Sequence, residues 1–268
     1  MLVDTHCHLT FDALAADVDG VLARAHEAGV RRFITVATDL ADARAALALL
    51  EHHSDVSMAA GIHPHEAGKA TQDDFDALRD LHHGRWEMPV ALDRLVAVGE
   101  SGLDFHYDFA PRARQEEVFR FQLELACEVS RPVIIHARES EELVADILID
   151  FPRLAGRVVF HCFSADARIA RRILDQGCWI SFTGVATFKN ADAIREAARI
   201  VPDDRIMVET DSPYLSPVPI RNKRPCEPAF VTHTARRLAE LRGVAFEDFA
   251  NLTTQNAVRF FNLAKDAT

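Results

Sequence analysis

The residues of this chain that could carry metal and acid–base chemistry sit in short motifs spread along its length. The first, Asp4-Thr5-His6-Cys7-His8-Leu9, places two imidazoles two residues apart. Alternate side chains of an extended strand share a face, so His6 and His8 point one way and Cys7 the other, as a packing residue. Two neutral imidazoles on one face can grip a single Zn²⁺ or Mn²⁺, which a lone histidine does poorly. An isolated His-x-His also suits solvated histidines, so the pair takes meaning only from further ligands. Candidates follow in order: His63 and His65 in Gly-Ile-His-Pro-His, then Glu100 and Asp104 in Gly-Glu-Ser-Gly-Leu-Asp. His136 stands in Ile-Ile-His-Ala-Arg, His161 in Val-Phe-His-Cys-Phe, and Glu209 with Asp211 in Val-Glu-Thr-Asp-Ser-Pro. Four histidines and two carboxylates suffice for two divalent cations sharing one bridging carboxylate. Two such ions ~3.5–4 Å apart bind both the attacking and the leaving oxygen of a phosphoryl centre, which favours hydrolysis. Asp211 could ligate an ion and also take the proton of the attacking water.

The elements that must position these residues are short strands alternating with helices. Strands are expected at Leu2–Thr5, Phe33–Ala37, Val56–Ile62, Leu95–Gly99, Val133–His136, Val158–His161, Cys178–Phe182 and Ile206–Glu209. Their near-continuous apolar character is that of parallel strands covered on both faces. Helical spacing marks Asp12–Ala28, Asp42–His53, Pro111–Ser130, Glu139–Asp150, Ala167–Gln176, Ala191–Ile200, Glu227–Leu241 and Phe246–Phe261, with Gly29 and Pro111 as terminal signals. Gly84–Arg94 reads as a connection. Eight β-then-α units point to a (β/α)₈ TIM barrel spanning residues 1–268 as one domain. An open doubly wound sheet would be expected to open with a Gly-rich phosphate loop, and none follows the first strand. In such a barrel the carboxyl ends of the strands converge on one mouth, where the candidate ligands fall. His26, His52, His53, His82, His83 and His233 lie on helices or their ends and are expected in solvent; His106 is ambiguous.

Composition narrows the function classes. With 268 residues, 49% of them hydrophobic and 26% charged, the chain can bury a large core. No apolar run approaches the ~20 residues of a membrane span. The N-terminus lacks the features of a secretory signal, and the five scattered cysteines suggest reduced thiols, so a cytoplasmic protein is expected. A net charge of −11 argues against a protein that coats nucleic acid non-specifically, while leaving room for a local cationic pocket.

Taken together, the motifs resemble the TatD family of metal-dependent deoxyribonucleases, within the amidohydrolase-like barrels. The resemblance rests on Asp4-Thr5-His6-Cys7-His8-Leu9, Gly61-Ile62-His63-Pro64-His65, Gly99-Glu100-Ser101-Gly102-Leu103-Asp104, Pro132–Arg138, His161-Cys162-Phe163-Ser164, Glu209–Leu215 and Thr253-Thr254-Gln255-Asn256. It implies that His6, His8 and Asp211 serve one metal, that His136 and His161 serve a second, and that Glu100 bridges them. It further implies substrate or supporting roles for His63 and Glu209, and hydrolysis of DNA phosphodiester bonds, as a 3′–5′ exonuclease or on single strands. The two cations would be Mg²⁺, Mn²⁺ or Zn²⁺. Three departures stand out: Ala165 where the family usually has Gly after His-Cys-Phe-Ser, Asn222 where it often has Gly, and the loop Arg221–Pro228, whose length could differ from that of some members.

Cations near the mouth would meet the phosphates. Arg138 follows His136 by two residues; Arg221, Lys223 and Arg224 lie in the loop after the eighth strand, and Lys189 in the loop after the seventh. Phe105, Tyr107 and Phe109 could stack on bases or pack as core. Rival readings are a small-molecule amidohydrolase or phosphoesterase on the same barrel, and a non-catalytic nucleic-acid-binding protein. Many amidohydrolases bridge their metals with a modified Lys on a strand, and no Lys stands at a strand end here. A monomer is the expected form.

Overall fold

The computed structural model describes residues 1–263; residues 264–268 of the expected domain lie outside the described residues. Eight parallel strands follow one another around a single sheet in sequence order. They are β1 (Leu2–Cys7), β2 (Val30–Ala37), β3 (Val56–Ala60), β4 (Leu95–Asp104), β5 (Val133–Arg138), β6 (Val158–Phe160), β7 (Trp179–Phe182) and β8 (Ile206–Val208). The TIM-barrel expectation holds. The helices outside it are α1 (Asp12–Ala15), α2 (Val18–Glu27), α3 (Leu40–His52), α4 (Gln72–His82), α5 (Arg112–Val129), α6 (Glu141–Leu148), α7 (Ala167–Asp175), α8 (Asp192–Ile200), α9 (Val231–Arg242) and α10 (Phe246–Phe261). Among the described residues no helix is long and apolar enough to cross a membrane.

Two apolar layers hold the barrel. Residues that face outward from the strands, such as Phe33, Met58, Val98, Ile135 and Phe160, pack under the helices. Inside, Val3, Ile34, Val96, Ile134, Val159 and Met207 meet Phe260, Phe261 and Leu263 from the chain's end, so the close of α10 plugs the floor. Each such buried side chain contributes about 1.5–3 kcal/mol relative to exposure.

The barrel closes by an unusual seam. β8 forms no regular ladder with β1; the two are joined just beyond it, where Asp211 N donates to His6 O (2.9 Å) and His8 N donates to Ser212 O (2.8 Å). Deeper in the seam, Asp4 accepts from Thr210 through its amide (2.9 Å) and its hydroxyl (2.6 Å). At the floor, Thr254 Oγ1 donates to Met1 O and Asn256 Nδ2 to Ile206 O, which gives the Thr-Thr-Gln-Asn run of α10 a structural task.

Departures from the expected elements have local causes. The predicted helix Asp12–Ala28 is broken at Asp17, whose φ of −145° and ψ of 47° are not helical. Helix α4 is missing from the apolar-spacing reading; a reciprocal capping box between Thr71 and Asp74 marks its start. It carries His82, which is 2% exposed and not in solvent as expected. Its Nε2 lies 3.0 Å from Ala60 O and Arg131 donates to Nδ1 (3.2 Å), while burial holds it down at about 3. Neither Ala165 nor Asn222 takes a positive φ, so both departures from the family pattern are free of backbone strain.

Candidate metal centre

Two β-bulges aim the central side chains. Between Asp4 and Cys7, β1 spends one residue more than β2 does opposite it, and between Val98 and Ser101 β4 does the same against β5. A bulge bends its strand and re-aims a side chain, and here the re-aimed residues are His6 and Glu100. The β4 bulge depends on missing side chains. Gly99 has a φ of +119° and a Cβ there would lie 2.5 Å from Ile134 O; at Gly102 (φ +146°) a Cβ would lie 2.0 Å from His136 O.

Glu100, 2% exposed, is the hub. Its Oε1 faces His161 Nε2 (2.6 Å) and His136 Nδ1 (2.8 Å), with His63 Nε2 at 3.5 Å. Its Oε2 faces the other way, toward His6 Nε2 at 3.4 Å. On that side Asp211 Oδ1 stands 3.4 Å from His8 Nε2 and 3.8 Å from His6 Nε2. Asp211 reaches them from a left-handed backbone, φ 57°, immediately after β8. Burial pushes the Glu100 carboxyl up, but the surrounding His161, His63 and His6 hold it well below the ordinary range. For Asp211, burial is likewise outweighed by the close approach of His8 and the field of His6 and His161.

The outer nitrogens of these histidines each face an acceptor, an arrangement in which the inner nitrogens could ligate. His8 Nδ1 is 2.8 Å from Val36 O and donates to it, so Nε2 presents its lone pair toward Asp211 and His6. His161 Nδ1 sits 3.3 Å from Glu209 Oε1 and presents Nε2 to Glu100. His136 Nε2 donates to Asp104 Oδ2 (2.9 Å) and presents Nδ1 to Glu100. His63 differs: its Nδ1 accepts from His65 N (3.1 Å), so the proton sits on Nε2 and points into the centre as a donor. Burial lowers His63 to about 4, keeping it neutral.

Three overlapping sets of side chains have ligand atoms mutually within 4.8 Å: His6–His161–Asp211, His6–His8–Glu100 and His63–Glu100–His136. The chemistry of the set fits a divalent cation. His6 is wholly buried, stacks on His161 at 3.9 Å, and has neither ring nitrogen hydrogen-bonded. Burying such a polar group without a partner costs about 1–3 kcal/mol, which a metal ligand does not incur. The distances draw His63 into the third set, but with the proton on Nε2 it faces Glu100 as a donor and not as a lone-pair ligand.

The remaining candidates are placed as follows. Glu209, 1% exposed, lies behind His161, with Oε1 accepting from Cys162 N (2.6 Å), so it faces the His161 ring and not the open mouth. Arg138 is half-buried at the mouth, its guanidinium 4.9 Å above the Tyr107 ring and free of ion pairs among the described residues. Arg221 stacks on Phe188 at 3.5 Å in the loop after β8; Lys223, two residues on, is exposed, and neither touches the histidine–carboxylate cluster. Cys7 turns away, its Sγ donating to Ile34 O at 3.4 Å. Asp104 is the residue whose importance its sequence position understates. It is 1% exposed, accepts from His136 Nε2 and His65 Nε2 at 2.9 Å each, and takes the His106 and Tyr107 amides on Oδ1. Its proximity to Glu100 in Gly-Leu-Asp was the available signal.

The family model described as TatD related DNase matches residues 3–262. The chain is 38% identical over 263 residues to the uncharacterized metal-dependent hydrolase YabD of Bacillus subtilis, covering 98% of this chain and 100% of that protein. It is 35% identical over 267 residues to the 3'-5' ssDNA/RNA exonuclease TatD of Erwinia tasmaniensis, covering 98% and 100% of the two chains. Among solved structures, the TatD homolog YjjV of Escherichia coli superposes with a TM-score of 0.91 at 30% identity, over 98% of each chain. A match that runs from the His6–His8 pair to the plug of α10 places this chain in the TatD-related family of metal-dependent hydrolases.

Proposed function

We propose that this protein is a deoxyribonuclease that removes nucleotides from the 3′ end of single-stranded DNA, using two divalent cations. The observation that carries the reading is Glu100, whose two oxygens turn to different histidine sets. His6, His8 and Asp211 would hold one cation, His136 and His161 the other, with Glu100 between. When bound, Mg²⁺, Mn²⁺ or Zn²⁺ supplies Lewis acidity toward phosphoryl oxygens and a water acidic enough to lose a proton near neutral pH.

The chain's own groups divide the remaining work. Asp211 accepts the proton of the attacking water. His63, neutral with Nε2–H turned inward, donates to a phosphoryl oxygen. The unpaired Arg138 guanidinium holds the flanking phosphate, and Arg221 and Lys223 extend the cationic track across the loop after β8. Glu209 orients His161, as a carboxylate behind a ligating imidazole does. A relative named as an exonuclease on single-stranded DNA and RNA supports the substrate class. The cluster draws every group from one chain, which supports a monomer as the working form.

The test is hydrolysis by metal-stripped protein after addition of Mg²⁺, Mn²⁺ or Zn²⁺, on end-labelled single-stranded DNA, duplex DNA and RNA. Shortening from the 3′ end of single strands is expected, lost in Asp211→Ala and Glu100→Ala with folding intact. No cleavage with any metal, alongside turnover of an amide or lactone, would overturn the nuclease reading.

A further inference from the structure

Just past Asp104 the loop into α5 carries three aromatic residues that behave differently. Phe105 is partly buried against the core and covered by Arg112, whose guanidinium lies 4.1 Å from its ring. Tyr107 and Phe109 are 44% and 64% exposed, their rings 5.3 Å apart. They are held to the metal centre through His65, whose ring is 5.6 Å from Tyr107, 4.7 Å from Phe109 and 6.1 Å from His136. The loop is pinned beneath them because Asp104 Oδ1 takes the Tyr107 amide at 3.0 Å while Oδ2 takes His136. Arg138, which has no ion pair among the described residues, lies over Tyr107.

We infer that Tyr107 and Phe109 form a stacking platform for a nucleobase next to the scissile phosphate, with Arg138 taking the adjoining phosphate. This rests on the nuclease reading and deepens it. Two large rings left in water at the rim of a charged mouth lose apolar contact unless a ligand covers them. A base attached to a phosphate at the cluster supplies both a π-face and a negative charge, matching the two rings and the free guanidinium. Stacking is indifferent to base identity, so the platform would hold an unpaired strand of any sequence. A base inside a duplex is already stacked on its neighbours and cannot use it. Preference for single strands follows from these two residues.

The test is a cycle between protein and substrate on the metal-loaded enzyme. Parent, Phe109→Ala and Tyr107→Ala/Phe109→Ala proteins are given a single-stranded oligonucleotide and the same oligonucleotide with an abasic sugar at the terminal or penultimate position. Loss of one base stack is expected to lower kcat/KM of the parent about tenfold, mostly through KM. The double variant is expected to treat intact and abasic strands alike, Phe109→Ala to keep part of the parent's discrimination, and Tyr107→Phe to keep all of it. Equal discrimination by parent and double variant would overturn the platform while leaving the nuclease reading intact. A parent that cleaves no phosphodiester at all removes the nuclease reading, and the platform with it. Phe109 stands largely in solvent, so its single variant keeps the test independent of folding.

Discussion

Replacing Asp104 by Asn isolates what a buried carboxylate behind a ligand does. The amide oxygen is expected to keep the His106 and Tyr107 amides, and the Gln115 bonds are to the Asp104 backbone, so the fold survives. Oδ2 is the vulnerable atom, since it accepts two imidazole N–H groups at once. An NH₂ in its place donates toward two donors. To make a bond with it, His136 would have to move its proton from Nε2 to Nδ1, the nitrogen that faces Glu100. A protonated Nδ1 cannot ligate. At least one hydrogen bond to a charged acceptor is lost, worth about 1.5–3 kcal/mol, which is roughly 10- to 150-fold in metal affinity. Competition against a fluorescent chelator measures this, with His65→Ala as the comparison, because it leaves the Asp104–His136 bond in place. We expect Asp104→Asn to weaken metal binding at least tenfold and His65→Ala to change it by less than about threefold. Equal affinity for parent and Asp104→Asn would refute the tautomer argument.

Two further predictions concern the scaffold. His82 is neutral in the fold at about 3 against 6.5 unfolded, so the unfolded chain binds the extra proton as pH falls. Its contribution is fully present above pH 6.5 and declines toward pH 3, by about 2 kcal/mol at pH 5. Urea unfolding of chelated protein at pH 7 and pH 5 is therefore expected to show a drop that His82→Gln reduces by about 2 kcal/mol; an unchanged drop would exclude His82 as its source. Gly102→Ala adds a Cβ 2.0 Å from His136 O, whereas at Gly156, also at positive φ, nothing lies within 4 Å. The first is expected to cost ~3 kcal/mol or more and the second about 1 kcal/mol; equal losses would show that His136 moves freely away.

Much of the site was legible because the fold class does the collecting. Once strands alternate with helices, polar residues at successive strand ends must share one mouth, and His6, His8, Glu100, His136, His161 and Asp211 meet there in fact. What escaped reading was geometry that depends on partners distant in sequence. No local pattern places an extra residue in β1 against β2, or shows that Gly99 and Gly102 clear carbonyls of β5. The proton on His63 Nε2 is set by the His65 amide, and the burial of His82 by its fit under β3. Helix α4 was missed because its short apolar stripe is diluted by charge, although its capping box was written in Thr71 and Asp74. The role of Asp104 escaped for a related reason: a carboxylate four residues past a ligand looks like a loop residue until its histidines are seen.

The seam that closes the barrel also orders events in time. Asp4 meets Thr210 across 206 residues, so β1 with His6, and His8 just after it, leave the ribosome ~10–40 s before the segment carrying Asp211 at ordinary rates of synthesis. During that interval the first strand has no neighbour on one side, and the ligand set lacks its last carboxylate. The plug of α10, which ties the floor of the same seam, arrives later still. If His6, His8 and Asp211 hold a cation as proposed, a nascent chain stalled before Thr210 would offer the two histidines without that carboxylate.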